Sequence, residues 1–367
     1  MPGKKEIVAT HFHSLTIADI RNETPECVSI AFQVPEALKK DYLFKQGQNI
    51  TLRTTLDGEE VRRSYSICSS PFENELRVAI KVAPHGKFST WANQKLKKGD
   101  TLEVLPPTGR FYTELKTGNK KNYLAFAAGS GITPVISLIK TTLLTEPAST
   151  FTLVYGNRNR ANIIFKDQLE ALKNKFIDRL AVHHILSREK TETTINHGRI
   201  NIDKCNQLAE KLIDIHAVDE IFLCGPEEMI FSVKEWLQQQ GVDKKKVHFE
   251  LFTTPGEKPG ASSREPVAKK ESGKTSKITV KLDGIAFDFD LAPGGDPILD
   301  AALKQGADLP FACKGGVCAT CKAKLLEGKV EMDTNYALEE EEVNEGYILT
   351  CQSHPLTDKV VVDFDIK

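Results

Sequence analysis

The sequence predicts a multidomain fold in three pieces: an antiparallel β-barrel over residues 1–115, an α/β domain with a parallel sheet over 116–253, and a small α+β domain over 278–367. Three observations carry this. Residues 12–112 hold short β-branched runs separated by Gly, Pro and Asp; strands alternate with helical stretches from 122 onward; and the stretch 253–277 contains no Leu, Ile, Phe, Tyr or Trp. The first pattern belongs to antiparallel strands and the second to parallel strands joined by helical crossovers. The third reads as a flexible linker over 254–277.

Within the barrel the strand-like runs are 29–34, 50–53, 76–82 and 101–105. In the second piece strand 123–128 precedes a helix to about 144, then come 152–155 with 165–175, 180–186 with 202–215, and 220–224 with 227–239. Sheets of this kind bind ligands beyond the carboxyl ends of their strands. The last piece predicts two short strands, a helix near 297–304 and a cysteine-bearing loop.

An apolar share of 40% with 27% charged residues describes a globular protein and excludes disordered, collagenous and coiled-coil classes. The most apolar window, 123–139, is interrupted by Gly129-Ser130-Gly131 and Thr133-Pro134 and falls short of the roughly 20 residues a bilayer requires. No apolar run of signal-peptide type opens the sequence, so a cytoplasmic location is expected, with no membrane partner. There disulfides are rare, and clustered cysteines suggest metal or redox work. The net charge of −1 hides an asymmetry: residues 278–367 carry 17 Asp/Glu against eight Lys/Arg, a net of −9, which leaves +8 in residues 1–277. Opposite signs suit domains that meet each other or an oppositely charged partner, although an acidic surface also keeps a small domain soluble. Glu339 to Glu342 and Glu345 supply part of that charge, as a solvated helix start or a docking patch. Basic residues are scattered without interleaved aromatics, which argues against nucleic acid.

Four of the eight cysteines, Cys313, Cys318, Cys321 and Cys351, follow C-x4-C-x2-C with a distant fourth, the spacing of plant-type [2Fe–2S] proteins. Gly315 and Gly316 remove side-chain bulk so that backbone N–H groups can approach cluster sulfurs. Zinc is the alternative: four-Cys zinc sites usually pair two C-x2-C arms, of which one is present, and a Cys351–His354 ligand pair would leave a cysteine over. Cys27, Cys68 and Cys205 read as small buried residues.

Two kinds of phosphate-binding pattern accompany the cysteines. Arg63-Ser64-Tyr65-Ser66 ends a strand, and combines a bidentate anion binder, an aromatic face and a hydroxyl. Gly86-Lys87-Phe88-Ser89 reads as a helix start whose free N–H groups suit phosphate. Gly129-Ser130-Gly131-Ile132-Thr133-Pro134 follows the strand at 123–128, with Thr133 expected at the N-cap and Pro134 in the first turn. Cys224-Gly225-Pro226 follows another strand of the same sheet, so both loops are expected at one crevice. The full G-x-G-x-x-G dinucleotide fingerprint is not met.

In this order, R-x-Y-S, G-x-G-I-T-P and C-G-P resemble the ferredoxin–NADP reductase superfamily, and the cysteine spacing adds a C-terminal plant-type ferredoxin. The resemblance covers residues 10–365. It implies a flavin-binding barrel, a nicotinamide-nucleotide domain and a ferredoxin-like β-grasp domain, carrying FAD, NADPH and a [2Fe–2S] cluster; R-x-Y-S serves FMN as well. It further implies that Arg63 and Ser64 bind flavin, Tyr65 stacks on its ring, Ser66 lies at its reactive nitrogen, and Gly86, Lys87, Phe88 and Ser89 hold the pyrophosphate. Gly129, Ser130, Gly131 and Thr133 would cradle the nicotinamide nucleotide, with Arg158, Ser187 and Arg188 gripping a 2′-phosphate and Glu189 as an adjacent opposing charge. Cys224, Gly225 and Pro226 would lie at the nicotinamide, and Glu250 and Phe252 would close over the flavin. Catalytic roles would fall to Ser66, Cys224 and Glu250. The Phe249-Glu250-Leu251-Phe252 ending departs from the terminal tyrosine of plant reductases. Hydride delivers two electrons and a [2Fe–2S] centre takes one, so a flavin must stand between them. The resemblance therefore implies a chain from NADPH through FAD and the cluster to a di-iron oxygenase component. A reductase of another multicomponent oxygenase or hydroxylase, a general ferredoxin-type diaphorase and a zinc-stabilised interaction protein are the alternatives, and the last would be colourless.

Overall fold

A computed structural model describes residues 11–252, 275–292 and 294–366. The expected linker lies outside the described residues except for 275–277. The described residues form two compact units, one of His13–Val61 with Tyr65–Phe252 and one built on residues 275–366 that also takes in Arg62–Ser64.

The first unit opens with β1 (His13–Thr24), β2 (Cys27–Gln33), β3 (Asn49–Leu56), β4 (Glu59–Ser66), β5 (Leu76–Lys81), helix α1 (Lys87–Lys95) and β6 (Thr101–Val104). The six strands run β4-β3-β6-β1-β2-β5 in one sheet. It curls until Ile67, just past β4, makes an antiparallel bridge to Val78 of β5, which closes the predicted barrel. Leu15, Ile30, Ile50, Val78, Ile80 and Val104 fill its interior. β1 went unmarked in the run pattern because its buried Leu15 and Ile17 are set among polar residues and its pairing with β2 is bulged at two points.

The same unit continues with β7 (Asn122–Ala128), α2 (Ile132–Thr145), β8 (Thr150–Asn157), α3 (Lys166–Lys175), β9 (Leu180–Leu186), α4 (Ile202–Lys211), β10 (Glu220–Gly225), α5 (Glu227–Gln239) and β11 (Val247–Leu251). The sheet is parallel throughout, ordered β11-β10-β7-β8-β9. One expected helix is too long. α4 stops at Lys211 because Asp214 draws the chain into a separate turn by accepting the His216 N–H. Helix α2, buried on nearly all sides, also locks onto the barrel. Ser137 Oγ donates to the Ser69 carbonyl at 2.6 Å, Thr141 and Ser70 share a hydroxyl hydrogen bond at 3.0 Å, and Lys140 Nζ reaches Glu73 at 3.0 Å.

The second unit contains β12 (Ser276–Leu282), β13 (Ile285–Leu291), α6 (Ile298–Lys304), β14 (Lys322–Glu327), β15 (Val330–Met332), α7 (Glu340–Asn344), β16 (Tyr347–Leu349), β17 (Ser353–Pro355) and β18 (Lys359–Asp363). Five strands make a mixed sheet, β13-β12-β18-β14-β16, and β15 pairs with β17. Seven strands among the described residues replace the expected two; three of them, β15, β16 and β17, are three residues long and carry no readable alternation. The acidic run does start a helix. Glu339 and Glu342 form a capping box, but Glu342 is buried and paired with Lys322 Nζ at 3.1 Å, so it does not belong to a solvated patch. Cys27, Cys68 and Cys205 are buried as expected.

Candidate functional site

Parallel register builds the first part of the site. Cys224 of β10 lies between Ala127 of β7 and Glu250 of β11, at the carboxyl end of the sheet. From the barrel side, Ser66 at the end of β4 donates its hydroxyl to Glu250 Oε2 at 3.0 Å, and the Asn49 side chain adds a second hydrogen bond to the same carboxyl. Burial outweighs both and pushes the Glu250 carboxyl up to about 7. A hydroxyl and a carboxyl able to hold or release a proton near neutrality therefore meet where the two domains of this unit join. The Cys224 side chain is fully buried, and burial with the Glu250 charge keeps it a neutral thiol. What it presents to the crevice loop is its backbone.

That backbone is pressed against the glycine loop. A Cβ on Gly131 would sit 2.0 Å from the Cys224 carbonyl oxygen, and one on Gly225 would lie 3.1 Å from the Ala128 nitrogen. Gly129 takes φ +55°, and its carbonyl accepts the Tyr155 hydroxyl at 2.9 Å. Thr133 is not the N-cap. Gly129–Gly131 make a single tight turn, α2 begins at Ile132, and the Thr133 hydroxyl donates to the Ser130 carbonyl at 3.0 Å. The first N–H groups of α2 thus lack a side-chain cap, as a phosphate-binding helix start requires.

Lys81 at the end of β5 was not anticipated. Its ammonium would stand 3.5 Å from a Cβ on Gly129, and it makes no hydrogen bond or ion pair among the described residues. Burial foremost, and the Arg158 charge, hold it below the usual lysine value against the pull of Glu26. Arg158 and Arg188 are exposed and likewise lack a carboxylate partner among the described residues, while the Arg188 N–H binds the Arg158 carbonyl at 2.8 Å. The opposing Glu189 is turned to Arg160, accepting its backbone N–H at 2.7 Å. Uncompensated cations around a glycine loop fit the phosphates of a nicotinamide nucleotide. A lysine closing the strand, directly after the apolar Val78-Ala79-Ile80, is the signal available in the sequence.

On the flavin side, Tyr65 packs its ring 5.7 Å from that of Phe88, itself buried in the barrel core. Arg63 donates to the Arg62 carbonyl at 2.7 Å, and Ser64 follows it on β4. α1 starts at Lys87 behind Gly86 without a side-chain cap. Lys87 pairs with Glu59 at 2.7 Å, and Ser89 binds the Ala83 N–H at 3.0 Å. The free backbone N–H groups, rather than those two side chains, are what this helix start offers an anion. Phe252, 39% exposed, follows β11.

In the second unit the Cys318 thiol lies 3.2 Å from Cys313 Sγ, which also accepts the Gly315 N–H at 3.3 Å. Hydrogen bonds from the Cys318 and Cys351 thiols, then from the Gly315 and Val317 N–H groups, drive Cys313 toward thiolate against its burial. Cys321 and Cys351 are buried, and Cys351 is hydrogen-bonded with both Cys313 and Cys321. Four converging sulfurs with backbone N–H donors fit an iron–sulfur cluster. His354, the other zinc candidate, is instead bound to Asp333 Oδ2 at 3.0 Å.

Comparison with known proteins agrees with this geometry. Residues 14–112 match the oxidoreductase FAD-binding domain, 126–235 the oxidoreductase NAD-binding domain, and 280–356 the 2Fe-2S iron-sulfur cluster binding domain. The chain is 47% identical to a component of the 1,2-phenylacetyl-CoA epoxidase of Escherichia coli (strain K12), over 98% of this chain and 99% of that one. It is 34% identical to the ferredoxin reductase component of 3-ketosteroid-9-alpha-monooxygenase from Rhodococcus rhodochrous, over 95% and 96%. Phthalate dioxygenase reductase, a solved structure, shares the fold with a TM-score of 0.57 at 22% identity, over 96% and 98% of the two chains.

Proposed function

The chain belongs to the ferredoxin–NADP reductase superfamily, among the oxygenase reductases that carry a [2Fe–2S] domain, and from that premise we propose that it serves the oxygenase component of a phenylacetyl-CoA epoxidase. It is an NAD(P)H oxidoreductase with FAD and a [2Fe–2S] cluster that passes electrons to an oxygenase component. The observation that carries the finer reading is 47% identity along essentially all of both chains, against 34% for a reductase of steroid oxidation. Its acceptor is proposed to be a di-iron protein and its location the cytoplasm; no helix among the described residues is long and apolar enough to cross a membrane. Proposed domain limits are 1–115, 116–253 and 278–367, joined by the linker 254–277.

When bound, FAD takes two electrons as hydride and yields them singly, and the cluster carries one at a time. In this reading Arg63, Ser64 and the α1 start with Gly86 to Ser89 hold the flavin phosphates, and Tyr65 and Phe252 flank its ring. Ser66 and Glu250 hold a proton beside the reacting nitrogen. Lys81 with Gly129 to Thr133 binds the nucleotide phosphates, and Cys224 to Pro226 shape the nicotinamide pocket with backbone rather than thiolate. Cys313, Cys318, Cys321 and Cys351 ligate the cluster. Arg158, Ser187 and Arg188 bind a 2′-phosphate, so NADPH is preferred; equal catalytic efficiency with NADH would overturn that preference. The acceptor is tested by reconstitution with purified oxygenase components. Coupled turnover with the phenylacetyl-CoA epoxidase component and not with a steroid oxygenase is expected, and the reverse would overturn the assignment.

A further inference from the structure

We propose that Gln352 is a positioning residue of the cluster site, its carboxamide clipping the three-cysteine loop to the segment bearing the fourth cysteine and turning an N–H toward Cys351 Sγ. This rests on the four cysteines being cluster ligands.

Gln352 Nε2 stands 2.9 Å from the Lys314 carbonyl oxygen, 2.9 Å from that of Cys351 and 3.7 Å from Cys351 Sγ. Carbonyl oxygens only accept, so the atom facing both is the amino end of the amide. One N–H therefore ties Lys314, the residue after the first ligand, to the residue after the last, and the other is shared between the Cys351 carbonyl and its sulfur. Lys314 is a non-glycine residue at φ +52°, a strained conformation that persists only where its surroundings hold it. The rest of the clip is backbone. The Gln352 carbonyl accepts the Asp333 N–H at 2.9 Å, and the Gly316 carbonyl accepts the Tyr336 N–H at 3.0 Å. A Cβ on Gly316 would lie 3.2 Å from Gln352 Cγ and 2.7 Å from the Thr334 carbonyl oxygen, so this side chain and segment 333–336 cover the loop closely. Side chains that orient metal ligands and hydrogen bonds to cluster sulfurs both tune reduction potential, and an N–H donor favours the more negative, reduced state.

The test uses full-length Gln352→Met, which keeps the stem and loses both donors, and Gln352→Glu, which places a carboxylate there. Redox titration followed by electron paramagnetic resonance should give potentials falling from native to Met to Glu. In the Met variant cluster reduction should be about tenfold less favourable, about 59 mV more negative. Bleaching of the cluster by a chelator should be several-fold faster in both. A Met variant with native potential and native bleaching, or a Glu variant at or above the Met potential, overturns the proposal. Should the Met variant lose its cluster during purification, Gln352→Lys, which restores a donor, decides: retention supports the clip and equal loss overturns it. A native protein without iron would instead defeat the ligand reading itself.

Discussion

Replacing Gly131 by alanine should separate nucleotide binding from its chemistry more sharply than any change of a charged residue. Gly131 has φ −61°, so alanine costs nothing in backbone conformation there; the penalty is contact alone. Its Cβ would stand 2.0 Å from the Cys224 carbonyl oxygen, 2.4 Å from the Cys224 carbonyl carbon and 2.8 Å from the Gly225 nitrogen, all backbone. To reach an ordinary separation of about 3.5 Å the two loops must part by about 1.5 Å. Overpacking of this kind costs about 1–3 kcal/mol of stability. Misplacing reacting groups by about 1 Å can cost roughly 100-fold in rate. Gly129→Ala is the control: its φ of +55° makes alanine costly by about 1–2 kcal/mol, but the nearest atom is the far end of Lys81 at 3.5 Å, so the loops keep their spacing. Anaerobic stopped-flow reduction of the flavin by NADPH, with a thermal melt of each variant, separates the effects. Both variants should melt lower, and Gly131→Ala alone should reduce its flavin about 100-fold more slowly. A Gly131→Ala rate equal to native, or one no slower than Gly129→Ala, would refute the reasoning.

Glu250 gives a pH-dependent signature. Its folded value of about 7 lies above the ordinary glutamate value near 4.3, so its stabilising proton is fully bound below about 4.3 and lost as pH rises through about 7. Calorimetry should show native stability declining across that window and a flatter profile for Glu250→Gln; parallel profiles would rule this out. Cys318→Ser should lose the cluster and electron transfer to one-electron protein acceptors yet keep NADPH–ferricyanide activity, because hydride transfer needs only the proposed flavin and nucleotide domains. Native iron content in that variant would remove Cys318 from the ligand set. Lys81→Met should raise the nucleotide KM about tenfold or more, the weight of a hydrogen bond to a charged group, without lowering flavin content or thermal stability. An unchanged KM would show that its ammonium does not meet the nucleotide.

What the sequence made legible was chemistry confined to short stretches. The cysteine spacing, the β7 to α2 glycine loop and the order of the three motifs are local, and the fold keeps each where its neighbours in sequence imply. Lys81, Asn49 and Gln352 acquire their roles from partners far along the chain: Gly129, Glu250 and Lys314. No periodicity announces such pairings. Thr133 shows the converse. Its type suits an N-cap, but a tight turn at Gly129–Gly131 starts the helix two residues early, at Ile132, and leaves its hydroxyl to the Ser130 carbonyl. β15, β16 and β17 of the second unit escaped because three residues hold less than two full alternations, and their pairing is set by the strands they join.

The seam between α2 and the barrel bears on how such reductases can be recombined. Ser137, Lys140 and Thr141 on one face of α2 fasten to Cys68, Ser69, Ser70 and Glu73, the segment directly after the R-x-Y-S strand. Ser69, Ser70, Ser137 and Thr141 are all buried, so a graft that replaced the nucleotide half alone would strand several polar groups without partners, each costing about 1–3 kcal/mol. A chimera that changes coenzyme specificity should therefore exchange segment 68–73 together with α2, or leave both and alter only the loops after β8 and β9. The flavin and nucleotide halves are therefore best exchanged as a pair.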